Sequence, residues 1–129
     1  MELIGAYLAI MQTRLGVRLR YDVDMEQGLG TLPFPSAILM TLVENAIKHG
    51  IEPVKEGGEI RVTVRREQGR LVAVVADTGA GLAETVGGGV GLDNIRERLK
   101  VRYGTAAGLR LAANEPRGFI ACLEMPCPE

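Results

Sequence analysis

Between Ile60 and Asp77 the chain commits itself to a sheet. Ile60, Val62 and Val64 alternate with Arg61, Thr63 and Arg65, the two-residue period of a strand with one face covered. Gln68-Gly69 then supplies the chemistry of a hairpin turn. Beyond it, Leu71-Val72-Ala73-Val74-Val75-Ala76 is apolar at every position, as expected of a strand covered on both sides or set in the middle of a sheet. That strand ends abruptly at Asp77.

The rest of the chain is built around this hairpin. Leu3, Ile4, Tyr7, Leu8, Met11 and Leu15 recur at three- and four-residue spacing, predicting a helix over 2–15 that Gly16 ends. Residues 17–23 set Val17, Leu19, Tyr21 and Val23 against Arg18, Arg20 and Asp22, a half-buried strand. A Gly-rich turn and Pro33-Phe34-Pro35-Ser36 lead into a second helix, which Gly50 is placed to terminate. A third helix spans 92–102, with Leu92, Ile95 and Leu99 as its apolar stripe, and strands follow at 109–113 and 119–125. The expected class is α+β: a two-layer sandwich in which a mixed, mainly antiparallel sheet of about five strands is covered by about three helices.

Composition excludes several functions. Fifteen basic against sixteen acidic residues leave a net charge of -1, so no long-range field points to nucleic acid or an anionic membrane as partner. The apolar run 71–76 is far short of the roughly 20 residues a membrane helix needs. Cys122 and Cys127 are too few for a disulfide framework or a four-ligand zinc site and are read as reduced. A single domain over 1–129 is the expectation, and a cytoplasmic one, since Met1 opens directly into helical periodicity.

Three stretches carry chemistry. On the second helix, Leu39, Leu42, Val43, Ala46 and Ile47 share one face while Glu44, Asn45 and Lys48 cluster on the other, with His49 at its edge. Asn45 offers a neutral oxygen to a hard cation such as Mg²⁺. Lys48 can neutralise a phosphate, and Glu44 can act as a base or hold a water. Glu44 and Lys48 equally make an ordinary i,i+4 surface pair, and His49 a cation suited to a helix C-terminus. Second, Asp77-Thr78-Gly79-Ala80-Gly81 puts a carboxylate at the end of a buried strand, ahead of glycines that let a ligand approach the backbone. An ionised carboxylate only accepts hydrogen bonds, so it would favour the exocyclic amine of adenine over the carbonyl of guanine; alternatively Asp77 only makes a turn with its own backbone. Third, Gly87-Gly88-Gly89-Val90-Gly91 runs into the third helix and could present N–H groups to a phosphate, or be a plain surface loop.

In this order the three stretches resemble the GHKL superfamily of Bergerat-fold ATP-binding domains. Residues 42–50 look like its N-box, 77–81 its G1 box, and 87–91 with Leu92-Asp93-Asn94-Ile95-Arg96-Glu97-Arg98-Leu99 its G2 box. LytS-type sensor histidine kinases are similar also in Tyr7-Leu8-Ala9-Ile10-Met11-Gln12, in Arg14 and in Arg102-Tyr103-Gly104. Met40 and Thr41 depart from the Gln and Pro common in that family.

The resemblance implies ATP and Mg²⁺ as cofactors, with Asn45 on the metal, Asp77 on the adenine amine, and Lys48 and His49 near phosphates or ribose. Gly79, Gly81, Gly87, Gly89, Gly91 and Leu92 would shape the pocket and its lid, and Glu44 is the candidate catalytic residue, as a base or as the holder of a water. His49 is the one histidine of the chain and lies in this site, so the phosphoacceptor would sit on a separate dimerising helical segment. The chain is therefore expected to be the catalytic piece of a longer two-component kinase that binds Mg-ATP with little turnover alone. Its partners would be those acceptor helices and a downstream response regulator, with no nucleic acid and no direct membrane contact by this piece, even if the full-length protein is anchored in the inner membrane. Other uses of the same motifs are a GHKL ATPase in which Glu44 activates water, an anti-sigma-factor-like serine kinase, or a non-enzymatic nucleotide-sensing module.

Overall fold

The computed structural model describes residues 2–26, 36–79, 90–115 and 117–126. Helix α1 (Glu2–Leu15) is followed by a 3₁₀ turn (Gly16–Arg18) and strand β1 (Leu19–Met25). Helix α2 (Ser36–Asn45) passes directly into a π-helical turn (Ala46–Ile51), then come β2 (Gly58–Glu67) and β3 (Arg70–Asp77). Helix α3 (Val90–Tyr103), a 3₁₀ turn (Gly104–Ala106), β4 (Gly108–Ala113) and β5 (Phe119–Pro126) complete it.

The five strands form one sheet in the order β1-β2-β3-β5-β4. β1 runs parallel to β2, and the other pairings are antiparallel. Antiparallel neighbours on both sides of β5 make β3 and β4 parallel to each other. Both parallel relations are bridged by a helical crossover, α2 in one and α3 in the other, as parallel strands require. The β2–β3 hairpin turns at Gln68 and Gly69, both at positive φ, so its register sets Val62 opposite Val75 and Ile60 opposite Asp77.

Alternation decides what faces the helices. Ile60, Val62 and Val64 of β2, Leu71, Ala73 and Val75 of β3, and Ala121, Leu123 and Met125 of β5 are buried against Ile4, Leu8 and Met11 of α1, Ile38, Leu39, Leu42 and Val43 of α2, and Ile95 and Leu99 of α3. The expected α+β sandwich is therefore present, and β3 is the central strand of five. Its second face is only half-covered: Val72, Val74 and Ala76 are neither buried nor fully exposed. Central position in the sheet, rather than a layer on each side, is what its apolar sequence encodes.

Two boundaries differ from the sequence expectation. Residues 17–23 do not form the first strand as a unit: Gly16, at φ 63°, opens a 3₁₀ turn through Arg18, and Val17 is 93% exposed rather than inward-facing. Gly50 does not stop the second helix either. The chain coils on through Ile51 with a widened turn, closed by the Glu52 N–H donating to the Ile47 carbonyl at 2.9 Å. Cys122 is a free thiol, whereas Cys127 lies outside the described residues.

Candidate functional site

Asp77 is the buried charged side chain among the described residues, 2% exposed at the C-terminal end of β3. The period of two puts it on the helix-covered face with Val75. Burial pushes its carboxyl up to about 6, against the downward pull of backbone hydrogen bonds from Gly79 and Phe119. The Gly79 N–H donates to Oδ1 at 2.9 Å. The Asp77 backbone carbonyl accepts from the Asn114 side-chain amide at 2.9 Å, so the residue is held both by the chain just past β3 and by the connection between β4 and β5.

What surrounds the carboxylate is glycine. A Cβ on Gly50 would stand 2.8 Å from the Asp77 carboxyl atoms, and one on Gly79 would stand 1.9 Å from the Gly50 carbonyl oxygen. Gly50 and Gly79 thus touch backbone to backbone, with Asp77 beside them, in a space that no side chain could share. The π-helical turn brings Gly50 here. Such turns are rare and shift the following residues around the helix axis.

Beside Asp77 lies a small cavity walled by Leu42, Asn45 and Ala46 from the second helix, Val75 from β3, and Phe119 and Ala121 from β5. It is apolar except for two groups, the Asn45 amide and the Asp77 carboxylate. Its volume is about 10 Å³, room for one water rather than a ring as it stands, and what it offers is the lining: a few placed polar groups in apolar surroundings, which fix the orientation of a ligand.

The structure brings Asn45, Asp77, Gly79 and Gly50 to one place and does not bring all the sequence candidates there. Glu44 and Lys48 are exposed and His49 is half-buried, and none of the three lines the cavity. Glu44 lies near enough to α1 for its charge to act on Tyr7. The Tyr7 hydroxyl has its pKa raised by burial first, then by the Glu44 and Glu52 carboxylates, with Arg14 opposing. Gly91 and Leu92 fall in the first turn of α3, whereas Gly81, Gly87 and Gly89 lie outside the described residues. No group of three or more His, Cys, Asp or Glu that could hold a metal is present among the described residues.

Several wall residues were not sequence candidates. Val75 could have been found, two positions before Asp77 on the same strand face. Phe119 and Ala121 could not, because their place depends on the β3–β5 register that sets Phe119 opposite Asp77. Asn114 reads as turn chemistry in sequence, and only the fold shows it holding the Asp77 carbonyl.

Residues 32–129 match the family model described as histidine kinase-, DNA gyrase B-, and HSP90-like ATPase. Among curated proteins, the chain is 30% identical to the sensor histidine kinase YesM of Bacillus subtilis (strain 168), covering 98% of this chain and 23% of that protein. It is 37% identical to the sensor histidine kinase YpdA of Escherichia coli (strain K12), covering 92% and 22%, and 31% identical to the sensor protein LytS of Enterococcus faecalis (strain ATCC 700802 / V583), covering 98% and 24%. The chain thus spans just under a quarter of the length of these relatives. In fold it is similar to the catalytic domain of histidine kinase ThkA, with TM-score 0.72 at 17% identity over 99% of this chain and 94% of that one. It is similar also to full-length ShkA in complex with AMPPNP, with TM-score 0.69 at 23% identity over 98% of this chain and 29% of that one.

Proposed function

We propose that this chain, which belongs to the histidine kinase-, DNA gyrase B-, and HSP90-like ATPase family, is the single ATP-binding catalytic domain, over residues 1–129, of a two-component sensor histidine kinase. The observation that carries the reading is Asp77: a buried carboxylate, flanked by two glycines in backbone contact, opening on an apolar cavity. An acceptor so placed selects a ring that donates from its edge and repels one that presents a carbonyl, so adenine is taken over guanine.

Around it the roles divide by position. Leu42, Ala46, Val75, Phe119 and Ala121 would hold the base by apolar contact and exclude water. Asn45, on the wall nearest the polar end of the helix, would give its side-chain oxygen to Mg²⁺ carried on the nucleotide phosphates. Lys48 and His49, both within the π-helical turn, would meet phosphates or ribose at the pocket mouth, and Gly79, Gly81, Gly87, Gly89, Gly91 and Leu92 would shape the pocket and its lid. Bound Mg²⁺ supplies charge neutralisation at the phosphates. Glu44, outside the pocket, would accept the proton of a histidine approaching on a separate helical segment as the terminal phosphoryl group passes to it. A response regulator would then take the phosphoryl group. None of the described helices is long and apolar enough to cross a membrane, and a cytoplasmic position is part of this reading.

Thermal unfolding with ATP, ADP and GTP, with and without Mg²⁺, tests it. At a ligand concentration 100 times Kd, binding should add about 2.7 kcal/mol, for adenine nucleotides and not for GTP, with Asp77→Ala abolishing the difference and Asn45→Ala abolishing the Mg²⁺ effect. Equal responses of the unaltered protein to ATP and GTP would sink the Asp77 assignment.

A further inference from the structure

The side wall of the site is held from outside by a residue that belongs to none of the nucleotide motifs. Arg18, at the end of the 3₁₀ turn that follows α1, reaches across to residues 52–57, the loop between the π-helical turn and β2. Its Nη2 donates to the Glu52 carbonyl at 3.0 Å and to the Val54 carbonyl at 3.1 Å. Glu52 is the C-cap of the π-helical turn, where backbone acceptors lack intrahelical partners and a cation is favoured, and the Val54 carbonyl takes Arg18 as a second donor beside the Gly57 N–H. The far end of the same loop also rests on Arg18. Gly57, at φ 74°, passes so close that a Cβ would stand 1.9 Å from the Arg18 carbonyl oxygen. Inside the loop, the Val54 N–H donates to Ile51 and the Gly57 N–H to Val54, making it a compact block gripped at both ends.

The block has two outlets, and both lead to Asp77. Backward, it continues the π-helical turn, whose Gly50 lies against the Asp77 carboxyl. Forward, Gly58 abuts Thr78, and the Glu59 N–H donates to the Thr78 hydroxyl at 2.9 Å while the Thr78 N–H donates to the Glu59 carbonyl at 3.0 Å. Removing the guanidinium would leave two carbonyls without their charged donor, a loss larger than that of a neutral hydrogen bond. The Nε of Arg18 is buried without a partner among the described residues.

We infer that Arg18 is a positioning residue for the adenine site, fixing the π-helical turn so that Gly50 closes against Asp77. The inference rests on the adenine-nucleotide reading and adds a determinant remote from the ligand. Arg18→Met keeps the aliphatic stem and removes the donors; Arg18→Lys keeps a donor and the charge. Val64→Ala, a cavity in β2, serves as a control for general loss of stability.

Hydrogen–deuterium exchange of the nucleotide-free proteins over residues 46–52 is measured first, then ATP and GTP affinities by calorimetry. Arg18→Met should speed exchange in that stretch by about tenfold and weaken ATP by about tenfold, the effect expected of losing a charged hydrogen-bond pair, while GTP binding stays as weak as before. Arg18→Lys should recover a large part of both, and Val64→Ala should show neither beyond its melting-temperature loss. Unchanged exchange in Arg18→Met, or unchanged ATP affinity despite faster exchange, or the same pattern in Val64→Ala, overturns the inference. An unaltered protein that takes ATP and GTP equally counts against the adenine reading itself, and the exchange arm, run without nucleotide, separates that failure from this one.

Discussion

Asp77 is retained against its own stability. Its carboxyl titrates at about 6 in the folded chain against 3.8 for the free group, with burial as the main cause. The folded state therefore binds this proton more tightly than the unfolded state. Its contribution is most favourable below 3.8 and is lost as pH rises through the window to about 6, reaching a cost of about 3 kcal/mol above it. Asp77→Asn should remove that window: the nucleotide-free variant is expected to be more stable than the parent at pH 8 and equal to it at pH 4, in urea titrations at both. The same variant should lose the preference for ATP over GTP. In the parent, ATP binding needs the ionised form, so affinity should fall about tenfold per pH unit below about 6, which calorimetry from pH 8 to pH 5 would show.

The two glycines make a graded pair. Gly79→Ala sets a methyl 1.9 Å from a backbone oxygen, whereas Gly50→Ala meets a side chain at 2.8 Å. Backbone cannot step aside as a carboxylate can, so Gly79→Ala should cost more than the roughly 1–3 kcal/mol typical of overpacking, and Gly50→Ala should lie within that range. Denaturation of the two variants side by side would check the order.

At the scale of elements, the strands and helices were legible because hydrophobic periodicity is a local property. The hairpin at Gln68-Gly69, the end of β3 at Asp77 and α1 over Glu2–Leu15 all follow from spacing and local turn chemistry. The π-helical turn was not legible, since Ala46 and Ile47 satisfy an α-helical stripe as well as they satisfy the coil that forms, and the group its Gly50 meets, Asp77, stands on a strand far along the chain. Gly50 reads as a stop for the same reason: its missing side chain serves Asp77, and nothing near it in sequence says so. Val17 fits the alternation, yet the positive φ of Gly16 takes it out to solvent. Helix α1 precedes the family match at residue 32, but its Leu8 is fully buried in the shared core. Leu8→Ala should accordingly cost about 2–5 kcal/mol, measured by urea unfolding followed through nucleotide binding; a loss under 1 kcal/mol would make α1 an appendage.

Over the whole molecule, the site draws on three separate pieces of chain: the second helix with its π-helical turn, the end of β3, and the start of β5. Sequence order shows the first two as motifs because each carries its polar residue with it. The third contributes Phe119 and Ala121, apolar residues that look like any strand. The sheet order β1-β2-β3-β5-β4 has one more consequence. The strand that fills the gap between β3 and β4 is the last of the five to be synthesised. Until it emerges from the ribosome, β3 has a bare edge, Asp77 lacks its Phe119 neighbour, and β4 has no place in the sheet. Nascent chains arrested before residue 119 should thus fail to retain ATP, whereas chains extended past residue 126 and clear of the exit tunnel should bind it, so that the ability to hold nucleotide appears late and abruptly during translation.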